Sequence, residues 1–180
     1  MSTDPPTSRD NAHDHSELLS RAFAEQQAPL TRYATRMLGG DADRARDVVQ
    51  DAFVRLMAQP PAAVDGHVVE WLFTVCRHRA LDVWRKEVRV KHFAEGEIER
   101  VTAADPRPGR ELEHAEAHAT LLQLIDRLPP NQQEVVRLKF QNGFSYKEIA
   151  RITEHSVTNV GFLIHTAVAR LRAEFAALRP

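Results

Sequence analysis

Apolar residues recur at three- and four-residue steps along most of this chain, which predicts an all-α fold. The first helical stripe opens at Ser16 with Leu18, Leu19 and Phe23 and resumes at Leu30, Tyr33, Ala34, Met37 and Leu38. Pro29 interrupts it, so a kink or break between two helical pieces is expected, and Gly39-Gly40 stops it. Asp41 to Gln59 forms a second unit, with Val48, Val49, Ala52, Phe53, Leu56 and Met57 on one stripe. A loop with Pro60, Pro61 and Gly66 spans Gln59 to Val69. A third helix runs from about Val68 to near Arg89, with Trp71, Leu72, Val75, Cys76, Leu81 and Trp84 on its apolar side.

Periodicity is lost from Phe93 to about Arg110, where Gly96, Pro106, Pro108 and Gly109 fall. It returns from Glu111 to Arg127 through Leu112, Ala115, Ala119, Leu122 and Ile125. Three short helices follow between Leu128 and Arg172. Pro129 and Pro130 open the first, where first-turn N–H groups lack partners anyway; Val135, Val136, Leu138 and Phe140 are its apolar face, and Gly143 ends it. Ser145, three residues before Glu148, forms a capping box for the second, which carries Ile149, Ala150 and Ile152. After the turn Thr153-Glu154-His155, Ser156 is the N-cap of the third. Two helices joined by so short a turn have the geometry that places the second in a DNA major groove, although spacing alone leaves a plain helical hairpin open. The predicted organisation is therefore a disordered tail over 1–15, a helical domain over 16–92, a flexible acidic linker over 93–110 and a helix-turn-helix domain over 111–180.

Composition adds little to this and charge distribution adds more. With 180 residues, 43% of them hydrophobic and 27% charged, and a mean hydropathy of −0.41, the chain has the make-up of a soluble protein. No apolar run approaches the ~20 residues of a bilayer span, and the polar start lacks the pattern of a signal peptide, so a cytoplasmic location without membrane insertion is expected. A net charge of −1 carries no sign of nucleic acid, but its parts are segregated. Asp41, Asp43, Asp47 and Asp51 crowd the second helix. They compensate its dipole or form an acidic surface for a basic partner. From Arg77 to Lys91, six Lys or Arg stand against two acids. A basic helix with interleaved aromatics suits phosphate contact and base stacking. The tryptophans alone read as core, and the basic run as a nucleic-acid contact. From Glu95 to His118, seven acids stand against three arginines.

Enzyme chemistry finds no support. Paired carboxylates, a nucleophile–base set, a glycine-rich phosphate loop and metal-ligand spacing are all missing from the pattern, so neither catalytic residues nor cofactors are expected. His114 and His118 lie one turn apart without an evident third ligand and read as surface residues. The single cysteine, Cys76, reads as a buried, inert thiol.

Two separated motifs match one family in order. Residues 47–56 (DVVQDAFVRL) followed by 70–82 (EWLFTVCRHRALD) resemble region 2 of bacterial sigma factors. Residues 128–136 (LPPNQQEVV) followed by 144–150 (FSYKEIA) resemble their region 4. With a short linker and no third domain between, residues 16 to 175 resemble an extracytoplasmic-function (ECF) sigma factor. The resemblance implies promoter-specific transcription initiation with core RNA polymerase, through its β′ clamp and β flap, and with promoter DNA. On these residues it implies polymerase docking by Asp47, Gln50, Asp51 and Arg55, and −10 melting and recognition by Trp71, Arg77, Arg79, Arg85 and Lys86. It further implies a base-receiving loop at Gln59–Val69, and a linker threading toward the polymerase cleft, its acidity mimicking nucleic acid. Around the helix-turn-helix, Lys147, His155, Ser156, Thr158, Asn159, Phe162, His165 and Arg170 would face the −35 element. The family often adds an anti-sigma factor as partner. The competing reading is a stand-alone helix-turn-helix regulator with an N-terminal sensing or dimerisation domain, which would not need the acidic helix followed by the basic one.

The third helix of the final stretch departs from the family pattern. Members commonly carry Lys or Arg in mid-helix, whereas this one reads Val160-Gly-Phe-Leu-Ile-His-Thr166, with no cation until Arg170. The run Phe162-Leu163-Ile164 can touch thymine methyls but cannot donate to guanine edges; alternatively, some of it is core. An altered −35 preference, or greater reliance on a protein partner, is the expectation.

Overall fold

A computed structural model describes the backbone of residues 8–91 and 112–178, and side chains over 16–86 and 118–178. The expected linker, the first seven residues of the expected tail and the side chain of His114 lie outside the described residues, while His118 is exposed. All regular elements among the described residues are helical. The chain divides into two compact units, Met1–Val101 and Thr102–Pro180.

In the first unit α1 (Ser8–Met37), α2 (Ala42–Met57) and α3 (Val68–Lys91) pack pairwise. α1 corrects two expectations. It begins at Ser8, so residues 8–15 are helical instead of a disordered tail, and it runs through Pro29 as one element, so of the expected kink or break the break does not occur. Proline there removes the bond to the carbonyl of Glu25, on a stretch whose side chains at Glu25, Gln27 and Ala28 are exposed. The next turn is clamped by tertiary contacts: Leu30, Tyr33 and Ala34 are buried, and the Tyr33 ring lies 5.2 Å from that of Phe73 in α3. Packing overrides local propensity. The helix ends where Gly40 N–H donates to the Thr35 carbonyl at 2.8 Å, with Gly39 and Gly40 at φ +67° and +97°.

Asp41 caps α2 by accepting from Arg44 N–H. The buried side of α2 is Ala45, Val48, Val49, Ala52, Phe53 and Leu56, facing Leu72, Phe73, Cys76 and Ala80 of α3 in the unit's core. Met57, expected on that stripe, is exposed instead. It lies one position beyond the buried Leu56, and the helix turns it outward. The α2–α3 connection holds a short 3₁₀ turn, Pro61–Ala63, and is anchored by the fully buried Val64.

The second unit contains α4 (Leu112–Asp126), α5 (Pro130–Phe140), α6 (Tyr146–Thr153) and α7 (Val157–Ala177). Leu124, Ile125, Leu128, Val136, Ala167 and Leu171 form one buried cluster, on which Phe175 packs. The α4–α5 turn is tied by Gln133 Nε2, which donates to the carbonyls of Asp126 and Leu128 at 2.8 and 2.7 Å. Arg137, buried in α5, reaches back to Asp126 at 2.5 Å. Phe140, expected on the apolar face, is exposed at the end of α5. Gly143, at φ +77°, follows the helix and lets Phe144 N–H return to the Leu138 carbonyl at 3.2 Å.

Candidate nucleic-acid interface

On the first unit, Asp47, Gln50, Val54 and Met57 fall at steps of three and four on α2 and are all exposed. Two of these were missed: Val54 was not singled out, and Met57 read as core. Val54 lies four residues after Gln50 and Met57 three after Val54, and this continuation of the stripe is the signal that would have found them. Val54 and Met57 are 57% and 67% exposed, so the stripe is acidic at one end and apolar at the other.

Asp51 and Arg55 behave differently. Asp51 Oδ2 accepts from Arg55 Nε at 3.0 Å and lies 2.6 Å from Arg79 Nε on α3. One carboxylate thus holds two arginines that the resemblance assigned to separate tasks. Cys76, one turn before Arg79, is fully buried, and burial, followed by the nearby Asp51 charge, pushes its thiol up to about 12.

Along α3 the candidates are unevenly presented. Trp71, Arg77 and Arg79 are half-buried, while Arg85 and Lys86 are exposed. Arg85 pairs with Asp82 at 3.5 Å, an exposed contact worth little. Trp84, read as core by its spacing, is 50% exposed directly before these two cations. The C-terminal part of α3 therefore offers an indole and two positive charges to the outside, a combination suited to bases and phosphates. Near the base-receiving loop position, Pro61, Ala62, Ala63, Asp65, Gly66 and His67 are exposed, and His67 Nδ1 lies 2.8 Å from the Asp65 carbonyl oxygen.

On the second unit the α6–α7 pair is set by its caps. Ser145 Oγ accepts from Glu148 N–H at 3.3 Å, and Glu148 Oε2 accepts from Ser145 N–H at 2.7 Å. Hydrogen bonding to its carboxylate by the Ser145 side chain, and then by the Ser145 backbone N–H, holds the Glu148 carboxyl below its usual range. Glu154 takes the left-handed conformation at φ +58°, and His155 N–H bonds the Ala150 carbonyl at 3.1 Å to close the turn. Ser156 Oγ accepts from Asn159 N–H at 3.1 Å, so this hydroxyl serves as the cap of α7.

The apolar run on α7 resolves by helix phase. Leu163 and Ile164 are core at 5% and 4% exposure, whereas Phe162 is 65% exposed. Val157, Thr158, Phe162 and His165 share the outer face with Gly161, and Asn159 is exposed beside them. A Cβ on Gly161 would stand 3.7 Å from Tyr146 Cε2, which places the start of α6 against this face. Lys139 Nζ donates to the Phe144 carbonyl at 3.2 Å and sits 5.5 Å above the Tyr146 ring. Lys147 is exposed and His155 half-buried. Arg170 is engaged by Glu174 at 2.8 Å, one turn further along α7.

Among the described residues, no group of three or more His, Cys, Asp or Glu is placed to hold a metal, and no helix is long and apolar enough to cross a membrane.

Comparison with known proteins matches both units. The family description "Sigma-70 region 2" covers residues 22–90, and "Sigma-70, region 4" covers 118–171. The ECF RNA polymerase sigma factor EcfG of Rhodopseudomonas palustris is 32% identical over 146 residues, spanning 81% of this chain and 78% of that protein. The ECF RNA polymerase sigma factor SigL of Mycobacterium tuberculosis is 29% identical over 164 residues, spanning 90% and 87%. In fold, the chain is similar to the sigma factor RpoE in complex with the anti-sigma factor NepR from Bartonella quintana. That likeness has a TM-score of 0.71 at 21% identity, covering 89% of this chain and 98% of that one. CnrH, solved in complex with the cytosolic domain of CnrY, is similar at a TM-score of 0.58 and 23% identity, covering 93% and 96%.

Proposed function

The chain belongs to the ECF RNA polymerase sigma factors of the sigma-70 family, and we propose from that premise how its two helical units divide the work of directing promoter-specific initiation. The observation that carries the reading is that regions 2 and 4 each fold as a helical unit with its own outward polar face.

The α2 stripe of Asp47, Gln50, Val54 and Met57 is the docking face for the β′ clamp, with Asp51 and Arg55 at its edge. Its acidic end meets a basic partner, and its apolar end is covered on docking. Trp71, Trp84, Arg77, Arg85 and Lys86 hold the opened −10 strand. Melting costs a few kcal/mol of stacking, which a base stacked on protein and phosphates held by cations offset. Lys147, Thr158, Asn159, Phe162 and His165 face the −35 element, oriented by the Ser156 cap, with His155 and Arg170 flanking. The second unit also meets the β flap. The protein acts in the cytoplasm, where its polymerase is.

Two proteins of this fold were solved with partners bound, one of them named an anti-sigma factor. An anti-sigma protein covering the α2 stripe would keep this chain off polymerase by occupying the same surface.

Run-off transcription with purified core polymerase tests the reading, since product should appear only when this chain is added. Asp47→Arg together with Met57→Asp should abolish co-purification with core polymerase while leaving the helical content unchanged. Normal core binding by that double variant would overturn the docking assignment. Failure of the wild-type chain to co-purify with core polymerase would favour a stand-alone regulator.

A further inference from the structure

We propose that Phe162 reads a thymine 5-methyl group in the −35 element, so that α7 is an A·T-directed reader instead of a guanine-directed one. This rests on the reading of α7 as the helix that enters the major groove.

The first support is helix phase. Of the three consecutive apolar side chains, Leu163 and Ile164 are taken by the core, and only Phe162 points out, at 65% exposure. Nothing in the unit's own packing asks for an aromatic ring there. Phe162 and Val157, both exposed on this face, are the apolar side chains it leaves available to a partner.

The second support is the chemistry of its neighbours. No Lys or Arg occurs between Ser156 and Arg170, and Arg170 is engaged by Glu174. Guanine is read chiefly by Arg or Lys through O6 and N7. This face presents instead the methyl groups of Val157 and Thr158, the ring of Phe162, the amide of Asn159 and, one turn on, the imidazole of His165. Apolar groups suit the thymine methyl, and an asparagine amide suits adenine N6 and N7. Phosphate attraction comes from outside the face, where Lys147 is exposed at the start of α6.

The test uses holoenzyme assembled from core polymerase and the full chain. Promoter duplexes with a randomised −35 element are selected for binding. The selected duplex is then remade with deoxyuridine at each −35 thymine in turn, which deletes the methyl and leaves the hydrogen-bonding edges intact. The expected result is a loss of about threefold to fivefold in affinity at one or two positions, the effect of one buried methyl. Phe162→Ala should bind thymine and deoxyuridine duplexes equally, at the level of the wild type on deoxyuridine, and Phe162→Leu should keep part of the discrimination. The proposal is overturned by a selected element without an A·T pair, or by equal wild-type affinity for both duplexes at every position. Full discrimination by Phe162→Ala overturns it too. If selection enriches no −35 sequence while transcription still requires the chain, groove reading by α7 fails along with this proposal, and the sigma-factor function stands.

Discussion

Asp51 Oδ2 on α2 lies 2.6 Å from Arg79 Nε on α3, and the same oxygen accepts from Arg55 Nε at 3.0 Å. The pair therefore ties α2 to α3 within one unit. Both side chains are about one-third exposed, so the coupling should be modest, about 0.5–1 kcal/mol. A double-mutant cycle of Asp51→Asn and Arg79→Gln, read by urea unfolding, should return an interaction of that size. Strict additivity would mean that the two helices are held by their apolar contacts alone.

Gly161 is the weak point of α7. Alanine there should stabilise the protein by up to about 1 kcal/mol, because glycine is the poorer helix former and the new Cβ meets Tyr146 at ordinary contact distance, 3.7 Å. A thermal midpoint raised by a few degrees in Gly161→Ala is the expected readout. An unchanged or lowered midpoint would show that the Tyr146 ring cannot accept the extra methyl.

The capping box makes stability depend on acid. Glu148 is more acidic in the folded chain than its ordinary value of 4.5, because it accepts hydrogen bonds from Ser145. Between the folded and unfolded values the unfolded chain binds more protons, so stability rises with pH through that window. The contribution is complete above about pH 4.5 and disappears as the pH falls through the folded value. Glu148→Gln should consequently be less stable than the wild type at neutral pH, and the two unfolding curves should converge in acid. A difference that persists unchanged at low pH would remove the carboxylate from the explanation.

Arg137 is 93% covered on its side chain and faces Asp126 at 2.5 Å. Removing the carboxylate leaves a buried cation short of its counter-charge, so Asp126→Ala should cost about 1–3 kcal/mol, less than a fully enclosed pair because Asp126 is itself partly exposed. Arg137→Met, which removes the charge and keeps the volume, should be milder. Equal losses in the two variants, measured by chemical denaturation, would argue that the guanidinium contributes through other contacts.

The local signals in this sequence translated directly into structure. Ser145 with Glu148, Ser156, Gly143 and the Gly39-Gly40 stop each act within a few residues of themselves, so their side-chain chemistry is enough to locate them. Pro29 suggested a break that does not occur, for the opposite reason. Its local cost is real, but Leu30, Tyr33 and Ala34 are held by α2 and α3, which sequence order does not reveal. Site residues divide in the same way. That Phe162 faces out while Leu163 and Ile164 face in depends on a helix phase set by the core, and periodicity alone had left it open. The Asp51–Arg79 bond joins residues 28 positions apart, and nothing near either one in the sequence announces it.

Cys76 has a consequence for signalling. It is the one sulfhydryl in these 180 residues, sealed in the α2–α3 core and held almost wholly protonated by its surroundings. The thiolate is the form that reacts readily with peroxides or disulfides, so Cys76 is a poor target for oxidants. A response of this protein to oxidants would have to begin at a group other than this thiol.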